Sequence, residues 1–119
     1  MNEVNSLVKK FVNEIMKYEE AAELNDSVSM NKQHEEIRKI MMNLKAAGKE
    51  VEDKMIQLLY HESNYVKCNA AYYLIPAQPE KARKTLEEIA SLRGLKAGTI
   101  AFTAKMTLRE WDNGNLKFD

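Results

Sequence analysis

One cysteine, two prolines and four glycines in 119 residues leave this chain few of the devices that small proteins use to hold a fold together. With Cys68 alone there is no disulfide framework and no Cys-based metal site. Strand signals are missing as well: no stretch alternates apolar and polar residues, and β-branched clusters are sparse. No apolar run approaches the ~18 residues that a membrane span requires. Residues Met1 to Ser6 lack the basic-then-apolar pattern of a signal peptide, so the chain is expected to be soluble and cytoplasmic. There is no charge excess either, since 18 Lys and Arg balance 18 Asp and Glu. Nucleic-acid binders draw most of their affinity from neutralising phosphates, so no nucleic-acid partner is expected.

What is present is helical periodicity. Hydrophobic residues make up 45% of the chain, enough for one ordinary domain over residues 1–119. Val4, Leu7, Val8, Phe11, Val12, Ile15 and Met16 form a stripe on a first helix, about residues 3–24. Asn25, Asp26 and Ser27 favour caps and turns and interrupt it. A second helix, about 29–47, carries Met30, Ile37, Ile40, Met41 and Leu44 and stops at Gly48. A third is expected over 50–61, and a fourth over 65–75, capped by Ser63 and Asn64 and ended by Pro76. The fifth starts at Pro79, where the missing N–H costs nothing, and closes at Gly94. The sixth runs from about Lys96 to Trp111 with Gly114 as terminator; Leu116 and Phe118 are placed to fold back on it. The fold class is therefore all-α, about six helices joined by short turns.

Helices three and four resemble five and six. Met55, Leu58 and Leu59 correspond to Leu86, Ile89 and Ala90, 31 residues on. Val66, Ala70 and Leu74 correspond to Ile100, Ala104 and Leu108, 34 residues on, and Ile37 with Met41 is a fainter third copy. Two-helix repeats of such period indicate αα-hairpins stacked in a short solenoid, although an ordinary helical bundle fits the same spacing. Residues 1–48 form an N-terminal helical pair on this reading, and 49–119 two hairpins and a tail.

The run Asn64-x-Val66-Lys67-x-x-Ala70-Ala71-x-x-Leu74 resembles the second helix of a HEAT repeat, with Lys67 where Arg is commoner. The stretch Leu86 to Gly114, with Ala104, Leu108 and Trp111, is similar to a family of small bacterial HEAT-like proteins. That family is catalogued as a domain of unknown function, and many members are encoded beside polymorphic toxins and held to be their immunity proteins. The resemblance covers about residues 50 to 116 and implies a HEAT/ARM-like short solenoid.

Catalytic constellations are hard to find. His34-Glu35-Glu36 lacks the second histidine of a zinc motif, because position 38 is Arg. Cys68 has no Cys-x-x-Cys partner and reads as a small, inert core thiol. The glycines are isolated, and neither Gly94 nor Gly98 begins a phosphate loop. Paired carboxylates such as Glu19-Glu20 and Glu87-Glu88 point roughly 100° apart on a helix. No enzyme, cofactor or metal is therefore expected.

By the resemblance, the second helix of each hairpin lines a concave surface. That places Tyr65, Asn69 and Tyr72 in a groove, with Thr99, Thr103 and Met106 equivalent on helix six and Glu36, Ile40 and Asn43 on helix two. Amphipathic aromatics are enriched at interface hot spots, although tyrosines also cover gaps between hairpins. The expected partner-binding set is Glu36, Tyr65, Asn69, Tyr72, Thr103 and Met106. The resemblance implies an immunity protein that binds a cognate toxin's C-terminal domain. If the toxin is a nuclease, Glu35, Glu36 and the acidic first helix would meet its basic cleft. A scaffold that takes a helix or peptide of a host protein is the alternative; a HEAT-like glycosylase is opposed by the neutral charge and short chain.

Overall fold

Helix boundaries in the computed structural model, which describes residues 3–94 and 98–116, follow the caps. Six helices occur among these residues and no strand: α1 (Glu3–Glu23), α2 (Ser27–Ala47), α3 (Glu50–Leu58), α4 (Asn64–Leu74), α5 (Pro79–Ala90) and α6 (Gly98–Asp112). α3 is shorter than its periodicity suggests, because residues 59 and 60 close it as a tight turn. Lys96 and Phe118 lie outside the described residues.

Two adjacent residues end α1 and begin α2. Asn25 takes a left-handed φ of 54°, its N–H bonds the Ala22 carbonyl, and the Asp26 N–H reaches back to Ala21. This is the Schellman pattern, with Asn in the position glycine usually holds. The Asp26 carboxylate then accepts from the Ser29 N–H at 3.1 Å and from its hydroxyl at 2.7 Å, which holds the Asp26 carboxyl below its ordinary range. Gly114, at φ 74°, ends α6 in the same way, with Asn115 bonded to Glu110 and Gly114 to Trp111. Leu116 thereby turns back onto the core, as its place in the sequence suggests.

Successive helices pack as hairpins, α1 on α2, α3 on α4 and α5 on α6, and the hairpins stack through α4. α4 touches α1, α3, α5 and α6, and its small residues explain why it can. Val66, Ala70, Ala71 and Leu74 are all fully buried, and the two alanines in the middle of the helix let neighbouring backbones approach closely. Phe11 and Ile15 of α1, Leu44 of α2, Met55 of α3, Leu86 of α5 and Ala104 of α6 are sealed from solvent in the same continuous cluster.

Polar links tie the stack together at its turns. Ser63 caps α4 by accepting from the N–H groups of Tyr65 and Val66, and its hydroxyl donates to Glu19 of α1 at 2.6 Å. Ser63 is itself buried, so this hydroxyl serves both the helix start and the contact between hairpins. Ser63→Ala is expected to cost about 1–2 kcal/mol, the upper range for a lost cap. A thermal melt would show it as a drop of roughly 5 °C; an unchanged midpoint would mean that water replaces the hydroxyl without loss. At the other end, Gln78 donates to Glu52 at 2.6 Å, joining the start of α5 to α3. Arg83 of α5 grips Asp112 of α6 through two bonds, 2.8 and 3.1 Å, with its guanidinium 5.1 Å from the Trp111 ring centroid. Trp111 thus closes the last hairpin, held by a cation as well as by apolar packing.

Candidate functional site

A groove of about 470 Å³ opens between α2, α4 and α6, the second helices of the three hairpins. Each helix presents residues at the same helical spacing. α4 gives Tyr65, Cys68, Asn69 and Tyr72; α2 gives His34, Ile37, Arg38 and Met41; α6 gives Ile100, Thr103 and Thr107. Spacings of three, four and seven place side chains on one helix face, so the groove is a continuous surface. Tyr18 enters from α1, its ring 6.0 Å from that of Tyr65.

Hydrogen bonds within the walls hold the polar side chains in place. The Asn69 amide donates to the Tyr65 carbonyl at 2.9 Å, and the hydroxyls of Tyr65 and Thr99 lie 3.0 Å apart. Thr103 and Thr107 each donate to the carbonyl four residues earlier, at 3.1 and 2.9 Å. Their methyl groups and the tyrosine rings give the groove its apolar character. Burial, and then the neighbouring Tyr65, push the Tyr18 phenol above its ordinary value, so it stays a hydrogen-bond donor throughout the neutral range.

Of the six residues expected to meet a partner, Tyr65, Asn69, Tyr72 and Thr103 come together here. Glu36 and Met106 do not line the groove, nor do the companion positions Ile40, Asn43 and Thr99. Glu36 pairs instead with Lys39 at 3.8 Å, and Ile40 is buried in the core. The cause is register. Matching Ile37 to Val66 sets α2 off by two residues, roughly 200° around a helix. The match that the structure makes is Ile37 to Cys68, Ile40 to Ala71 and Leu44 to Ile75, all buried, and it carries His34, Arg38 and Met41 onto the positions of Tyr65, Asn69 and Tyr72. Its offset of 31 residues equals that of the first-helix pair Met55 and Leu86 but not the 34 of the second-helix pair Val66 and Ile100, so the repeat alone did not fix it. On α6 the core register holds, with Ile100 and Ala104 buried; Thr103 lines the groove as expected, while Ile100 and Thr107 stand there in place of Thr99 and Met106. Tyr18 carried no such signal, since α1 belongs to the opposite layer of a regular stack.

Cys68 forms part of the groove floor but is 5% exposed, and burial pushes its thiol from 9.0 up to about 12. Burial thus favours the neutral thiol over the thiolate that a nucleophile requires. Two results follow. Native protein should resist iodoacetamide until it unfolds. The unfolded thiol ionises near 9 while the folded one does not, so its contribution is full below pH 9 and is lost as pH rises towards 12. Melts at about pH 8 and about pH 10.5 should therefore differ more for the natural chain than for Cys68→Ala. Equal differences would show that the thiol ionises in place. His61 lies away from this floor, its Nδ1 accepting from the Ser63 N–H at 2.9 Å. Among the described residues, no group of three or more His, Cys, Asp or Glu side chains is arranged to hold a metal ion, and no helix is long and apolar enough to cross a membrane.

Comparison with known proteins gives a consistent fold. The crystal structure of the protein RPA1889 from Rhodopseudomonas palustris CGA009 is similar over 98% of this chain and 94% of that one, at 25% identity and a TM-score of 0.85. None of the curated proteins matches. A family model described as a domain of unknown function matches residues 5–112, which spans all six helices. The chain belongs to that family, DUF2019.

Proposed function

We propose that this protein is a HEAT-like, non-catalytic binding domain whose partner docks in the groove between α2, α4 and α6. The observation that carries the reading is the convergence of Tyr65, Tyr72, Asn69 and Thr103 on one open surface of about 470 Å³. That volume takes a few partner side chains, and tyrosines bury large apolar area while keeping a polar tip. The groove offers polar contacts that fix orientation without an ionised nucleophile beside them.

By its resemblance to HEAT-like immunity proteins, the partner is a cognate bacterial toxin domain that docking would neutralise. The version in which carboxylates meet a nuclease's basic cleft draws no support from the groove, because Glu35 and Glu36 stand outside its lining. The alternative is an adaptor that takes a helix or extended peptide of a host protein, a mode that the same groove would serve.

A pull-down of tagged protein from its native host, with the products of neighbouring genes present and captured proteins identified by mass spectrometry, separates these. Stoichiometric, salt-stable recovery of a toxin C-terminal domain, lost on Thr103→Trp, supports the immunity reading. Recovery of an unrelated host protein with the same dependence makes it an adaptor. A partner whose capture ignores Thr103→Trp removes the groove from the function.

A further inference from the structure

The groove lining carries one charged side chain among the described residues, Arg38, whose ion-pair partner Glu35 stands just outside it. Among the described residues its lining holds one arginine, one histidine, three tyrosines and two threonines, but no Asp or Glu. This contrasts with a chain whose charges balance overall. Arg38 sits at the rim, and its bonds leave it able to take a further anion. Its Nε and Nη2 both donate to a single oxygen of Glu35, at 3.2 and 2.7 Å, while Nη1 faces the Met42 sulfur at 3.9 Å. A thioether is a weak acceptor, and a guanidinium carries five N–H donors, so the fork is only partly used. Glu35 is a poor competitor: this is an exposed pair three residues apart on one helix, the kind that water and salt readily loosen. Tyr18, Tyr65 and Tyr72 supply phenol hydroxyls and ring faces further in, with Met41 and Ile37 as apolar wall.

We infer that the groove receives an acidic segment of a protein partner, with an aliphatic or aromatic side chain seated between the tyrosines and a carboxylate meeting Arg38 and His34 at the rim. This rests on the reading of the groove as the docking site and adds the chemistry of what docks there. A rim charge acts mainly on association, so binding should slow as ionic strength rises. A basic segment would meet a cation and a histidine with no carboxylate in the lining to pair it.

The test is selection of a random peptide library, displayed on phage, against the immobilised full chain. The winning peptides are then measured on the natural protein, on Arg38→Glu and on Thr103→Trp. Both substituted residues are exposed, so both variants should fold, which a melt confirms. Enrichment of Asp or Glu beside an apolar residue, a loss of about tenfold or more in Arg38→Glu, and a fall in association rate with salt are expected. Peptides blocked by Thr103→Trp but neutral or basic, or indifferent to Arg38→Glu, overturn the acidic-partner inference while leaving the groove as a docking site. Selection that yields no peptide dependent on Thr103 overturns both.

Discussion

Phe11→Ala is expected to lower stability by about 3–5 kcal/mol, the cost of removing a large aromatic from a closed core. Phe11 is wholly inaccessible and belongs to the cluster that also holds Val66 and Leu74 of α4 and Leu86 of α5. At about 3–5 °C per kcal/mol for a domain of this size, the melting temperature should fall by roughly 10–20 °C. The experiment also asks whether the N-terminal helical pair is part of one cooperative unit. α1 packs on α3 and α4 as well as on α2, so a single transition should move as a whole. Met16, on the same helix but 43% exposed, provides the control: Met16→Ala should change little. A melt in which part of the helical signal keeps its original midpoint would show that α1 and α2 fold separately from the hairpins behind them.

Tyr72→Ala is expected to have the largest effect on binding, weakening partner capture by about 2 kcal/mol or more, roughly thirtyfold. Tyr72 stands on the groove wall beside Asn69, half-buried and in contact with the core. Its stability cost should therefore be modest, about 1 kcal/mol, and much smaller than that of Phe11→Ala. A loss of stability above about 3 kcal/mol would make Tyr72 a structural gap-filler between hairpins. Full stability with undiminished binding would make it a bystander. Affinity and melting temperature measured on the same preparation separate these outcomes.

Much of this architecture was legible before any coordinates, for local physical reasons. The apolar stripe of α1, the Asn25-Asp26 break, the Ser63 cap, Pro79 in a first turn and Gly114 past the last helix act within a few residues of themselves. Their short range is why helix number and most boundaries could be read directly. The repeat from Val66, Ala70 and Leu74 to Ile100, Ala104 and Leu108 likewise located the α4 and α6 core faces, although Leu108 is only half-buried. Because α4 carries a distinct stripe of Tyr65, Asn69 and Tyr72 beside its core face, three residues of the groove are legible in the sequence, and the repeat adds Thr103 on α6.

The sequence by itself determined the six helices, their apolar faces and the α4 wall of the groove, because periodicity and capping are properties of one helix at a time. Tertiary structure decided how those helices are turned against one another. A shift of two residues in matching α2 to α4 sends every side chain to the far side of the helix, so the groove receives Arg38 where the repeat pointed to Glu36. On α6 Thr107 rather than Met106 lines the groove, and the packing of α1 on α4 brought Tyr18 into a surface that a regular stack would build from second helices alone. Helix rotation is set by how side chains from several helices fill a shared core at close packing, and no single helix carries that information.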